Sequence, residues 1–309
     1  MVMFEKLFRL FGYEKTRPVT EESENVSKEP TLENHIVKIS RYHNDNFSKI
    51  EDAISHTQRD LELLIGSSAS KDSEDTLNRL NTLMLGIWCE SRLHKLVYEK
   101  NLFSEDERKF IYSGSNLEEK WKKSLEIALR RHKGLENHVA LDINSLGFAL
   151  FQIYSEIKNW IDIHFSPVIR LRNKVAHSQW VFPFMNYQDG WDSSWSFKLC
   201  TDSKALLSRE NVLTLKYKHE LLKRVAIAIN NLALANTEYE VQDFDEMYNG
   251  ITEQANKLGS MKGSDIKNYR DVLIHGHRHK QENKKKASEK AVKNAIDKLK
   301  QEYDFVPKQ

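Results

Sequence analysis

From Leu32 to Leu64, apolar or nearly apolar side chains recur every three or four residues for more than four heptads. This spacing places them on one side of an α-helix, so residues 32–66 are predicted to form one long helix with a coiled-coil-like seam. The seam could pair with a second copy of the chain or pack on the residues that follow, and the spacing favours neither. Its members are Ile36, Ile39, His43, Phe47, Ile50, Ile54, Thr57, Leu61 and Leu64.

The rest of the chain repeats this helical spacing in shorter pieces that carry local start signals. Ser104 is followed three residues later by Glu107, which predicts a capping box, and Asn116 is predicted to open the next helix. Ser166-Pro167 predicts a new helix with a bend before it. Gly and Pro number only 11 and 5, too few for a chain dominated by tight turns. We therefore expect an all-α bundle over residues 74–258.

Residues 180–200 depart from helical spacing because aromatic and β-favouring residues dominate them and Asp189-Gly190 divides them. This pattern is typical of two strands joined by a tight turn, so we expect a small β-hairpin inserted in the bundle. Residues 259–309 are predicted to be a basic tail. Ten Lys and Arg stand against four Asp and Glu at positions 270–300.

The amino end divides into two parts. Residues 1–13 carry apolar residues interrupted by charges, which predicts a short amphipathic helix rather than a signal peptide. Residues 14–31 contain two prolines, many charges and almost no apolar residues. They cannot offset their ordering entropy by burial and are predicted to be a flexible linker.

Charge and cysteine content exclude several classes of protein. The formal net charge is only +2, so any contact with nucleic acid must come from a local patch. Cys89 and Cys200 stand far apart without a CxxC partner, which excludes a disulfide scaffold and a Cys-rich zinc module and suits a cytoplasmic protein. The apolar runs fall far short of the ~18 residues that a spanning helix needs, so no membrane contact is expected.

The segment RNKVAH at positions 172–177 combines three side chains that can take part in catalysis: a guanidinium, an amide and an imidazole. Asn173 and His177 are four residues apart and share one helix face, while Arg172 lies about 140° from His177 around the axis. An imidazole exchanges protons near neutral pH, and a guanidinium matches phosphate oxygens. Together they suit cleavage of RNA with the ribose 2′-hydroxyl as internal nucleophile, which requires neither a metal nor another cofactor. Val168, Leu171 and Val175 are predicted to be the buried face of this helix.

This segment, in its helical setting between about residues 76 and 238, resembles the R-N-x-x-x-H motif of the HEPN superfamily, whose members are α-helical bundles. The resemblance implies a metal-independent endoribonuclease of the prokaryotic defence or toxin type, with Arg172, Asn173 and His177 as catalytic residues at a homodimer interface. It implies tRNA, mRNA or other single-stranded RNA as substrate, with an antitoxin or regulatory partner. A catalytically inactive module that binds RNA or protein is the alternative, and a coiled-coil structural protein with an incidental motif is a third.

A second segment with the same spacing lies in the basic tail. Asp271 and His275 are four residues apart and follow Arg270, as Asn173 and His177 follow Arg172. The segment could be a degenerate second half of a composite site or a chance match in a basic helix.

Lysines near the two segments are candidate RNA contacts. Lys174 lies within the first motif, and Lys284, Lys285 and Lys286 form a run in the tail. Such a run suits the RNA backbone and sets affinity rather than sequence preference, although a solvated polar helix would show it too. No metal site is expected in the nearby HGHRH segment, because its flanking cations would repel a metal ion.

Overall fold

The computed structural model describes residues 32–100, 102–136, 138–185, 198–234 and 241–302, with the side chains of 32–34, 241–245 and 302 excepted. The predicted amphipathic helix over 1–13 and the predicted linker over 14–31 lie outside the described residues. The central part of the predicted hairpin does so as well.

The described residues form α-helices joined by short connections, which confirms the predicted all-α fold. The first six helices are α1 (Leu32–Gly66), α2 (Lys71–Val97), α3 (Glu105–Tyr112), α4 (Leu117–Lys133), α5 (Ile143–Leu146) and α6 (Phe148–Trp160). They are followed by α7 (Ser166–Ala176), α8 (Thr201–Arg209), α9 (Val212–Leu234), α10 (Val241–Gly259) and α11 (Gly263–Glu302). Ser104 forms the predicted capping box of α3, and the Asn116 side chain caps α4.

The main core lies where α2, α4, α6, α7 and α9 meet. Trp88, Trp121 and Phe165 are among its largest fully buried side chains. Trp121 packs edge-on against Phe165 at 4.9 Å between ring centroids, and its indole N–H donates to the Cys89 carbonyl at 3.2 Å. Because the only polar atom of this large side chain is satisfied, Trp121 can be buried without an unpaired donor.

The seam of α1 packs on its own chain. Ile54 belongs to the main core, while Leu61 and Ile65 are buried together with Val212 from the start of α9. Glu51 lies on the same helix and accepts a hydrogen bond from the indole N–H of Trp88. The spacing of α1 allowed either pairing with a second copy or packing on the residues that follow. The second half of the helix packs on the bundle of its own chain.

The helix expected to begin at Ser166-Pro167 is present as α7, and it follows α6 without an intervening loop. A π-helical turn, Ile161–Phe165, carries α6 directly into α7, and Phe165 and Ser166 have helical backbone angles. Proline lacks an N–H and its ring clashes with the carbonyl four residues earlier, so a wider turn before it lets the helix continue.

The two ends of the predicted hairpin come together in the structure. Phe184 and Leu199 form an antiparallel bridge, with the Met185 N–H donating to the Lys198 carbonyl at 2.7 Å. No strand forms among the residues that the structure describes, so beyond this bridge the hairpin stays a prediction.

The basic tail is helical over most of its length, as α11. Near its start, the Tyr269 hydroxyl donates to Glu62 of α1 at 2.7 Å, and Lys216 of α9 donates to the same hydroxyl at 3.2 Å. Every side chain from 278 through 301 is exposed. The run Lys284, Lys285 and Lys286 therefore faces solvent.

We expect the free energy of unfolding to fall as the pH is lowered from about 6.5 to about 4. Burial, with a smaller contribution from Lys218, lowers the pKa of His164 to about 4, and burial also lowers the pKa values of His43 and His94. The unfolded chain binds these protons near pH 6.5, so acid favours the unfolded state across this window. Urea unfolding at several pH values measures the slope. His164→Gln should flatten it, and the same change at the exposed His56 should not.

Candidate functional site

The candidate site is built on α7, which packs along α2. Val168, Leu171 and Val175 are buried, as their spacing predicts, and Leu171 and Val175 pack with Leu207 of α8. With this face of α7 against the bundle, Asn173 and His177 lie on its exposed side. The helix is thus held by its apolar face while its polar groups remain accessible.

Gly86 of α2 permits a close approach of the two helices. A Cβ atom at this position would lie 2.1 Å from Cβ of Arg172 and 3.3 Å from the Val168 carbonyl oxygen. Real side chains do not come this close, so the backbones meet at a separation that only glycine allows. The contact fixes where the Arg172 side chain leaves α7.

Arg172 is oriented by two acceptors. One guanidinium nitrogen donates to the carboxylate of Glu90 at 2.6 Å, and the other terminal nitrogen donates to the side-chain oxygen of Asn173 at 3.0 Å. Glu90 lies one turn after Gly86 on α2, so the glycine contact and the ion pair belong to the same crossing of helices. A guanidinium has five N–H donors, and the bonds to Glu90 and Asn173 use two of them. The remaining donors of Arg172 can bind the oxygens of a phosphate.

His177 terminates α7. Its backbone N–H donates to the Asn173 carbonyl at 3.1 Å, and the chain leaves the helix through Ser178 at a positive φ of 63°. The imidazole is exposed, and none of the described residues forms a hydrogen bond with it. One chain therefore joins the side chains of Arg172 and Asn173 directly but leaves the imidazole of His177 without a bond to either side chain.

An open cleft of about 390 Å³ adjoins His177. Trp180 lies on its wall with the indole N–H donating to the Val175 carbonyl at 3.0 Å, and Gln179 accepts from the Phe184 N–H at 2.7 Å. Phe182 also lines the cleft, and about half of its side chain is exposed. Trp180 thus anchors the segment after α7. Phe182 is an exposed aromatic residue of the kind that stacks on unpaired bases, and the Lys204 ammonium already lies 5.0 Å from its ring centroid.

Lys174 occupies a position that does not suit the predicted RNA contact. The residue is only 5% exposed, and its ammonium donates to the Phe184 carbonyl. Burial lowers its pKa, with Cys200 and Arg170 nearby. Lys174 therefore fastens α7 to the segment that follows it, and its contact with RNA stays a prediction that this burial does not favour.

The second motif lies on α11 and is not joined to the first. Arg270 pairs with the buried carboxylate of Glu74 on α2, while Asp271 and His275 are exposed. Since Glu74 and Glu90 are 16 residues apart on one helix, the two arginines are anchored about 24 Å apart. One chain does not bring the two segments into one intrachain site.

The HGHRH segment is helical, so His277 points away from the side of α11 that His275 and His279, four residues apart, share. Among the described residues, no group of three or more His, Cys, Asp or Glu side chains is arranged to hold a metal ion.

The sequence pattern did not indicate the contributions of Gly86 and Glu90. No family of known proteins, no curated protein and no solved structure matches this chain. None of the helices that the structure describes is both long and apolar enough to cross a membrane.

Proposed function

We propose that this protein is a metal-independent endoribonuclease of the HEPN type. The observation that carries the proposal is that α7 presents an exposed imidazole, His177, about one turn after a guanidinium, Arg172, that Glu90 and Asn173 hold in place. His177 lies away from the buried face of α7, while Arg172 packs at its Cβ against Gly86 and keeps about a third of its side chain exposed.

In the proposed reaction, a base takes the proton of the ribose 2′-hydroxyl, whose oxygen attacks the adjacent phosphorus. The bond from phosphorus to the 5′-oxygen breaks, and an acid gives that oxygen a proton. The products are a 2′,3′-cyclic phosphate and a free 5′-hydroxyl. His177 would exchange the protons, and Arg172 would stabilise the negative charge that grows on the phosphate oxygens.

A homodimer is part of the proposal. The reaction needs an acid and a base, whereas one α7 helix presents one free imidazole. A two-fold axis that brings two copies of α7 together would place two His177 side chains at one cleft. In such an assembly, one imidazole acts as the base and the other as the acid.

The proposed substrates are tRNA, mRNA or other single-stranded RNA, which the exposed Phe182 and the lysines of α11 would bind. A role in antiviral defence or a toxin system, a cytoplasmic location and an antitoxin or regulatory partner belong to the same proposal. All of these follow from the resemblance of the RNKVAH segment to the HEPN motif.

The experiment that tests this function is incubation of the purified protein with labelled single-stranded RNA in the presence of EDTA. We expect cleavage that EDTA does not reduce. Cleavage that requires added Mg²⁺ would contradict the proposal. A sample carrying His177→Ala, prepared in parallel, controls for contaminating ribonucleases.

Replacing Lys284, Lys285 and Lys286 together by Gln should weaken RNA binding and flatten its salt dependence. Each lost phosphate contact to a single strand lowers the slope of log K against log salt by about 0.7, so three contacts change it by about 2. Binding measured across a salt series tests this expectation. The same change at three exposed lysines elsewhere, Lys38, Lys49 and Lys109, is the control. An equal effect in both proteins would show that Lys284, Lys285 and Lys286 are ordinary solvent-exposed residues and not specific RNA contacts.

One observation favours a second candidate function. Arg172 is already paired with Glu90, and a guanidinium neutralised in this way could serve structure alone. The chain would then be a catalytically inactive HEPN-type module that binds RNA or protein. RNA binding without cleavage in the EDTA experiment would identify this case.

A further inference from the structure

A second cavity lies among α1, α2, α9 and α10, and its lining includes none of the residues of the candidate site. Its volume is about 400 Å³, within the range of small-molecule pockets. Asn81 and Glu90 are nine residues apart on α2, about 180° around its axis, so the cavity and the candidate site lie on opposite sides of that helix.

Two polar atoms in the cavity wall lack hydrogen-bond partners. Asn81 is 2% exposed, and its side-chain Nδ2 has no partner among the described residues. The ring Nε2 of His219 is also buried, and it lies 3.7 Å from a Glu51 carboxylate oxygen, within reach of an ion pair but too far for a hydrogen bond. Rotating the Asn81 amide would only exchange an unpaired donor for an unpaired acceptor. A buried polar atom without a partner destabilises the fold, so such atoms mark positions where a bound molecule can supply the missing bond.

The remaining walls combine apolar and cationic surface. Ile54, Leu85 and Leu215 line the cavity and are almost completely buried. Lys223 lines it too, with its ammonium 2.8 Å from a Glu51 oxygen. An ammonium has three donors, so Lys223 can bind a second anionic oxygen while it keeps this ion pair. Glu220, the carboxylate in the lining, is paired with Arg224 at 3.1 Å.

We propose that this cavity binds a small organic anion with an apolar body. The apolar body would pack on Ile54, Leu85 and Leu215. The carboxylate or phosphate group would accept hydrogen bonds from Asn81 and Lys223. The inference does not depend on RNA cleavage, since no residue of the candidate site takes part.

The test uses benzoate and phenyl phosphate as probes, with benzyl alcohol as their neutral counterpart. Ligand-observed NMR and calorimetric titration of the full chain should show saturable binding at one site, with a millimolar dissociation constant for at least one anion. The stronger of the two anions identifies the group as carboxylate or phosphate. Asn81→Leu and Lys223→Met should each weaken binding about tenfold or more. Lys257→Met changes a lysine that pairs with Glu253 on α10 outside the cavity and should have no effect.

Three results would overturn the proposal. One is the absence of saturable binding of either anion up to about 50 mM, which would mean that the cavity holds only water. Another is binding of benzyl alcohol as tight as that of the anions. The third is unchanged binding in Lys223→Met, a variant at a partly exposed position that stays informative if Asn81→Leu does not fold.

Discussion

Protein carrying His177→Ala is expected to lose RNA cleavage, with a rate at least about 100-fold below that of the wild type. His177 carries the proton-exchanging group on the exposed side of α7, and alanine cannot replace it. The variant should remain folded, since the imidazole is exposed and has no hydrogen bond to the described residues. Single-turnover cleavage of labelled RNA measures the rate, and circular dichroism with thermal melting checks the fold.

Neighbouring variants separate the roles within the site. Arg172→Ala should reduce cleavage nearly as much, because it removes the stabilisation of the phosphate, whereas Asn173→Ala should act more mildly, since an amide can orient but not transfer protons. Arg172→Lys keeps the charge without the planar fork and should rescue only in part. Full activity of His177→Ala would contradict the catalytic role of His177. Unfolding of this variant would indicate that His177 serves the structure.

Gly86→Ala should destabilise the protein by about 1–3 kcal/mol and reduce cleavage. The new methyl group would collide with the Arg172 side chain, so α7 must move away from α2 or Arg172 must leave Glu90. Urea unfolding measures the free energy, and the cleavage assay measures the effect on the site.

Gly276→Ala is the matched control for this substitution. Gly276 also lies inside a helix, α11, but a Cβ there meets nothing within 4 Å. Alanine lowers the entropy of the unfolded chain at such a position, so a gain of about 0.4–1 kcal/mol is expected. Equal stability of Gly86→Ala and the wild type would contradict the close packing of α2 and α7.

The helices could be predicted from the sequence because their signals are local. The three- and four-residue spacing of α1 and the capping residues Ser104 and Asn116 act within one or two turns. The π-helical turn before Ser166-Pro167 could not be predicted, because a local rule for proline does not include this option. Whether α1 packs on its own bundle or on a second copy depends on Val212, about 150 residues away, and could not be derived from spacing.

The site was predictable only in its local part. The spacing of RNKVAH indicated which residues share the exposed face of α7, because helix geometry alone determines this. Glu90 lies 82 residues from Arg172, and no periodicity relates the two. The burial of Lys174 depends on the Phe184 carbonyl, which becomes its partner only when the segment after α7 folds back.

The chemical identity of the RNA ends tests the central proposal most directly. Mass spectrometry of the products from a defined oligonucleotide should find a 2′,3′-cyclic phosphate on one fragment and a 5′-hydroxyl on the other. A substrate with a single 2′-deoxy nucleotide at the cleavage position should resist cutting there, because the internal nucleophile is missing. Products with a 3′-hydroxyl and a 5′-phosphate, or unimpaired cleavage of the 2′-deoxy substrate, would contradict cleavage by the 2′-hydroxyl through Arg172 and His177.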